Sequence, residues 1–145
     1  MIGFLLLALL AGAMLSVQTG VNVQLRAALG EPVGAALASF LVGTLGLGVL
    51  VLLSRVAVPI ATAWQRSEWW QWIGGLLGAC YIVVAIVVAP RLGAATFIAV
   101  VVAGQMLSSL VLDHYGWVGF AEHPVSPLRL LGAALIVGGV VLVQR

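Results

Sequence analysis

The chain has no lysine, one cysteine and only four acidic residues among its 145. Its ten charges are six arginines set against Glu31, Glu68, Asp113 and Glu122, or 7% of the sequence, where a soluble domain carries about 25%. A soluble fold of this length has to coat itself with polar groups, and so few charges cannot do it. A water-soluble enzyme and a disordered tail are therefore excluded. The net charge of +2 arises because so little titrates, and no run of basic residues is present to follow a phosphate backbone, which excludes nucleic acid as a partner. Cys80 alone rules out a disulfide within the chain and a multi-cysteine metal site. No G-x-S-x-G, H-E-x-x-H or P-loop stretch is found, so hydrolytic and ATP-driven chemistry lack local support and no cofactor is expected.

What the chain does have is apolar sequence: 63% of it, with a mean hydropathy of +1.25. A helix needs roughly 20 apolar residues to cross about 30 Å of hydrocarbon. Residues 34–53, 70–89 and 93–112 do so without a single charge. Residues 2–25 and 128–144 are less clean, the last being flanked by Arg129 and Arg145, which can snorkel to the headgroups. The fold class read from this is an all-α integral membrane protein, one membrane domain over residues 1–145 with five transmembrane helices. A cleaved signal peptide is the rival reading of the first run; no Lys or Arg precedes it, and hydrophobic helix continues past Ala11-Gly12-Ala13.

The punctuation agrees with these spans. Glu31-Pro32 and Ser126-Pro127 read as caps with proline in the first turn, and Ser67 and Glu68 as the start of the third helix. Ala89 to Gly93 reads as a tight break between the third and fourth helices, and 54–69 and 113–127 as the longest loops. Trp64, Trp69, Trp70 and Trp72, and separately Tyr115 and Trp117, are placed as interfacial aromatic belts are.

The arginines fail to orient the chain. Arg55, Arg66 and Arg129 fall on one side of the membrane and Arg26, Arg91 and Arg145 on the other, so the positive-inside bias is balanced. A chain inserted both ways can pair with its own inverted copy, and five helices are few to enclose a solute path. An antiparallel, dual-topology homodimer, or pairing with a homologous chain, is the expectation.

Polar residues in hydrocarbon are costly and mark packing or function. Gln18, Asn22 and Arg26 recur four apart in the first helix; Gln105, Ser109 and Asp113 do the same in the fourth, with Ser108 alongside. Small residues form a second stripe in each helix, Gly12, Ser16 and Gly20 in one and Ala95, Ala99 and Ala103 in the other. Positions two apart lie about 200° apart, so polar and small stripes face opposite ways, which makes these two helices central and the others peripheral. Gln18 and Gln105 each precede a charged residue by eight positions, about 12 Å, so an inverted pair brings Gln18 of one copy level with Gln105 of the other. The substrate-binding candidates are thus Gln18, Asn22, Gln105 and Ser109, and Arg26 with Asp113 are candidates for a gate ion pair or coupling site. The plain alternative is that such groups only stitch helices together, at about 0.6 kcal/mol per contact.

Ser39, Thr44 and Thr96 read as packing residues, Cys80 as a small apolar filler, and Gly74-x-x-x-Gly78 as chance spacing in a glycine-rich chain. Asp113, His114, Glu122 and His123 share a loop, but their spacing matches no metal-ligand motif, so they read as solvated and no metal is expected.

Several stretches carry a resemblance. They are Val17-Gln18-Thr19-Gly20-Val21-Asn22-Val23-Gln24-Leu25-Arg26, Phe40-Leu41-Val42-Gly43-Thr44, Pro90-Arg91-Leu92-Gly93-Ala94-Ala95, and Gly104-Gln105 running to Asp113-His114-Tyr115-Gly116. In this order they resemble the YdcZ-type inner-membrane exporter family of the drug/metabolite transporter superfamily. The resemblance covers nearly the whole chain and implies a bacterial plasma-membrane transporter of five helices, in a family of single, paired and fused ten-helix chains. The small multidrug-resistance branch of the superfamily carries a glutamate in its first helix. No acid lies within a predicted span here, so proton coupling would have to use Asp113 or Glu31 near a membrane face. The function expected is alternating-access transport of a small polar or zwitterionic solute. The rivals are a non-transporting scaffold subunit, a channel, and a membrane enzyme built on Asp113 and His114.

Overall fold

The computed structural model describes residues 1–145 and is helical throughout, without a strand. The long helices are α1 (Ile2–Leu29), α2 (Pro32–Ser54), α4 (Gly74–Leu92), α5 (Ala94–Tyr115) and α6 (Pro127–Val143); a short α3 (Ile60–Arg66) and two 3₁₀ turns lie between them. Four segments are long and apolar enough to cross a membrane: α1, α2, α4 with its leading 3₁₀ turn, and α5. The seventeen residues of α6 rise about 25 Å, short of a full hydrocarbon core. The chain divides into two compact units, Met1–Pro90 and Arg91–Arg145.

Local chemistry explains most boundaries. α1 runs four residues beyond its expected end and stops at Gly30, whose φ of 84° lets its N–H reach the Arg26 carbonyl at 2.8 Å. Glu31 and Ser126 are the N-caps expected, each followed by proline, and the Ser126 hydroxyl accepts the Arg129 N–H at 3.3 Å. Residues 54–69 are not one loop, since Pro59 starts α3 within them. Glu68, not Ser67, caps the start of the third span. Gln71 accepts the Glu68 N–H at 3.0 Å in a reciprocal capping box, while Ser67 accepts the Trp72 indole N–H at 2.7 Å. Residues 69–73 wind as a 3₁₀ turn before α4 begins.

The break expected at Ala89 to Gly93 is narrower. α4 continues through Pro90 to Leu92, and the chain turns at Gly93 alone, with φ 83° and ψ 151°, a region open only to glycine. Helix survives the proline because a substitute donor is present, as described below.

In the first unit Ala35 and Ala36 of α2 meet Ile82 and Ile86 of α4, with Leu25, Phe40, Tyr81 and Val83 packed around them. α4 holds four buried residues, Ile82, Ala85, Ile86 and Ala89, against Thr19 and Asn22 on α1. Within the single chain α4 thus holds more buried residues than α1, through alanine and isoleucine packing rather than polar residues. Gly78 is not a chance glycine. A Cβ there would sit 3.3 Å from the Phe40 ring, so its bare backbone is what seats that ring against α4. In the second unit α5 packs on α6, burying Phe97, Ala103, Leu110 and Ala133.

Candidate functional site

Along the polar stripe of α1 burial is uneven: Asn22 is buried, Arg26 half-buried and Gln18 exposed. Gln18 lines a half-open chamber of about 200 Å³ with Ser39, Phe40, Gly43, Thr44 and Leu47 of α2 and Ile82 of α4. One turn on, Asn22 is 4% exposed. A further turn on, Arg26 lines a second, open recess with Val23, Ala27, Gly30 and Pro90. The opposite stripe, Gly12, Ser16 and Gly20, is exposed. Gln18 stands eleven residues before the end of α1, about 16 Å along the axis and so near the middle of a 30 Å core. Ser39 and Thr44, set aside as packing residues, belong to the same chamber; their spacing around Phe40 and Gly43 was the only sequence signal. Cys80 is no core filler: it is exposed on an apolar groove formed with Val33, Ala36, Leu37, Phe40 and Val83.

Arg26 has a specific task. Pro90 has no N–H, so the Ile86 carbonyl four residues earlier loses its helical donor. The Arg26 guanidinium donates to that carbonyl at 3.4 Å. A buried backbone acceptor is thus satisfied from a neighbouring helix.

In the second unit the small stripe of α5 turns inward, with Ala103 buried and Ala99 half-buried, and the polar residues Gln105, Ser108 and Ser109 are exposed. Asp113 forms a salt bridge with Arg129. Each of the two charges expected to make a gate pair, Arg26 and Asp113, therefore has a partner within its own unit.

The Asp113–Arg129 pair follows from electrostatics. Arg26, Arg66 and Arg91 lie in last turns, and Glu31 and Glu68 at N-caps, where helix dipoles favour them. Asp113 sits in the last turn of α5 and Arg129 in the first turn of α6, each at the end that repels it. Pairing cancels both misfits. That reversal of sign was the overlooked signal for Arg129.

The loop read as solvated is built onto this pair. Arg129 also donates to the His123 carbonyl at 2.8 Å, His123 N–H donates to the Asp113 carbonyl at 2.7 Å, and His114 Nδ1 accepts the Val125 N–H at 3.2 Å. Asp113, His123, Pro124 and Arg129 rim an open cup. His114 thus holds the turn between α5 and α6 through its ring, and His123 through its backbone, with its ring exposed.

Residues 3–142 match the family described as "Putative inner membrane exporter, YdcZ". Over 83 residues the chain is 43% identical to the Inner membrane protein YdcZ of Escherichia coli (strain K12), covering 54% of this chain and 52% of that one. It thus spans about half the length of the curated relative it matches. No solved structure matches it. With apolar helices of membrane length and a family match over almost all of its residues, the chain belongs to the YdcZ family of inner-membrane exporters and is a multi-pass protein of the inner membrane.

Proposed function

We propose that the chain is a secondary transporter that exports a small polar or zwitterionic solute by alternating access, working as an inverted homodimer with five spans per copy. The observation that carries this reading is the chamber at Gln18. Three hydrogen-bonding side chains, Gln18, Ser39 and Thr44, share one cavity at the depth where hydrocarbon would otherwise lie. Polar groups at that depth are expensive and mark a solute path.

The uncovered stripes support the dimer. Gln105 and Ser109 are exposed on α5, and Gly12, Ser16 and Gly20 on α1. Amide and hydroxyl groups facing acyl chains lack partners, and a small-residue stripe admits a close helix. A second copy, inverted, answers both needs. α6 then spans with Arg129 and Arg145 snorkelling at its ends, or in a locally thinned bilayer. Asn22, Gln105 and Ser109 complete the solute path, and Arg26 and Asp113 exchange their present partners for each other as the gate changes state.

Flux into liposomes tests the reading. Gln18→Ala and Gln105→Ala abolish uptake while insertion and yield stay normal; unchanged uptake overturns the site. Reporter fusions at the C-terminal end test the inverted dimer. They appear on both sides of the membrane, and a signal from one side only refutes dual topology.

A further inference from the structure

The chamber at Gln18 narrows the solute further than its polarity does. Its lining is Gln18, Ser39, Phe40, Gly43, Thr44, Leu47 and Ile82, with no ionisable side chain among them. An ion or zwitterion entering at mid-membrane depth gives up hydration and finds no countercharge, which costs several kcal/mol per charge. A neutral solute meets no such penalty. The three polar side chains supply both hydrogen-bond roles: the Gln18 amide offers two donors and an acceptor, and each hydroxyl donates and accepts. Hydroxyl and amide groups on a ligand match that set.

Size gives the second limit. Pockets for drug-sized ligands measure about 300–1,000 Å³. At about 200 Å³ this half-open chamber falls below that range, which suits a small solute. Phe40, Leu47 and Ile82 supply apolar walls, which suit the carbon skeleton of a short polyol or simple amide. Gly43 belongs to the lining. A Cβ built there meets nothing within 4 Å, so the space beside it is unfilled.

We propose that the chamber between α1, α2 and α4 is the binding site for a small uncharged solute bearing hydroxyl or amide groups, with Ser39 and Thr44 as its specificity-determining residues. This rests on the transporter reading above, and it removes zwitterions from the solutes that reading allows.

The test uses the full chain reconstituted in liposomes and stopped-flow light scattering. The probes are glycerol, erythritol and acetamide on one side, and glycine betaine, choline chloride and sodium glutamate on the other. The proposal expects saturable entry of at least one neutral probe and none of the charged or zwitterionic ones. Ser39→Ala and Thr44→Val each raise the half-saturation concentration about three- to tenfold, the worth of one neutral hydrogen bond. Gly43→Ala, whose methyl meets only empty space, keeps the protein folded and suppresses entry of the neutral probe. Saturable entry of a charged or zwitterionic probe that is unaffected by Ser39→Ala and Thr44→Val overturns the proposal and leaves a transporter standing. Neutral entry with unchanged half-saturation in all three variants overturns the site. No flux of any probe, together with no thermal stabilisation by any of them, overturns the transporter reading itself.

Discussion

The Asp113–Arg129 pair allows a test in which removing two interacting groups does less harm than the two separate losses imply. Arg129 is 34% and Asp113 24% exposed at the side chain, so the pair belongs near the upper end of the exposed range, about 1 kcal/mol. Each charge also opposes its own helix dipole, at about 0.3–1 kcal/mol. Asp113→Asn loses the pair but relieves one misfit, for a net cost of about 0.5 kcal/mol by these terms. Arg129→Gln does the same and also gives up the bond to the His123 carbonyl, for about 1–1.5 kcal/mol in all. If the two acted independently, the double variant would lose about 1.5–2 kcal/mol. Because the pair can be lost only once, it falls short of that sum by about 1 kcal/mol, the coupling energy. Reversible unfolding of the four proteins in mixed micelles measures this. Additivity within about 0.3 kcal/mol would show that the two charges do not interact and would refute the pairing.

Restoring the missing donor gives a second test: Pro90→Ala lets residue 90 donate to the Ile86 carbonyl and stabilises α4 by up to about 3 kcal/mol, less the bond that Arg26 gives up. Slower amide exchange at position 90 than at its neighbours, with a higher midpoint of thermal unfolding, is the expected outcome. Ile86 is fully buried, so Ile86→Ala opens a void worth at least about 2 kcal/mol in the same unfolding assay. Val118 holds φ 58°, a left-handed conformation that a β-branched residue resists, and Val118→Gly is expected to raise stability by about 1 kcal/mol. Gly93→Ala is expected to lower it by more than that, since φ 83° with ψ 151° admits no side chain; near-normal yield and melting would contradict the turn as described.

How much of this was legible beforehand can be followed residue by residue. Gln18, Asn22 and Arg26 were visible as one face of a helix because a 3.6-residue period is local, and Glu31 and Ser126 announced helix starts through their own backbone preferences, while Gly30 was missed as the end of α1. Ser39 and Thr44 were not recognisable as chamber residues. Whether a hydroxyl in a membrane helix bonds its own backbone or lines a cavity depends on which helix lies against it. Pro90 was read as a terminator because nothing local reveals that Arg26, 60 positions away in sequence from Ile86, supplies a donor. His114 looked solvated because its partner, the Val125 N–H, comes close only once the chain has turned, whereas Glu122 and the His123 ring are exposed.

Sequence alone determined the solvent. Ten charges in 145 residues, all at helix ends or in loops, leave only hydrocarbon as the surroundings of the long helices, and cap chemistry fixes where those helices begin and stop. Tertiary structure decided which face of each helix is covered. α1 covers Asn22 and part of Arg26 and exposes its small stripe, while α5 covers Ala99 and Ala103 and exposes Gln105 and Ser109. Inside a bilayer an uncovered polar group is costly on either helix, but which neighbour lies against it is set by packing between helices far apart in sequence, which a local period does not encode.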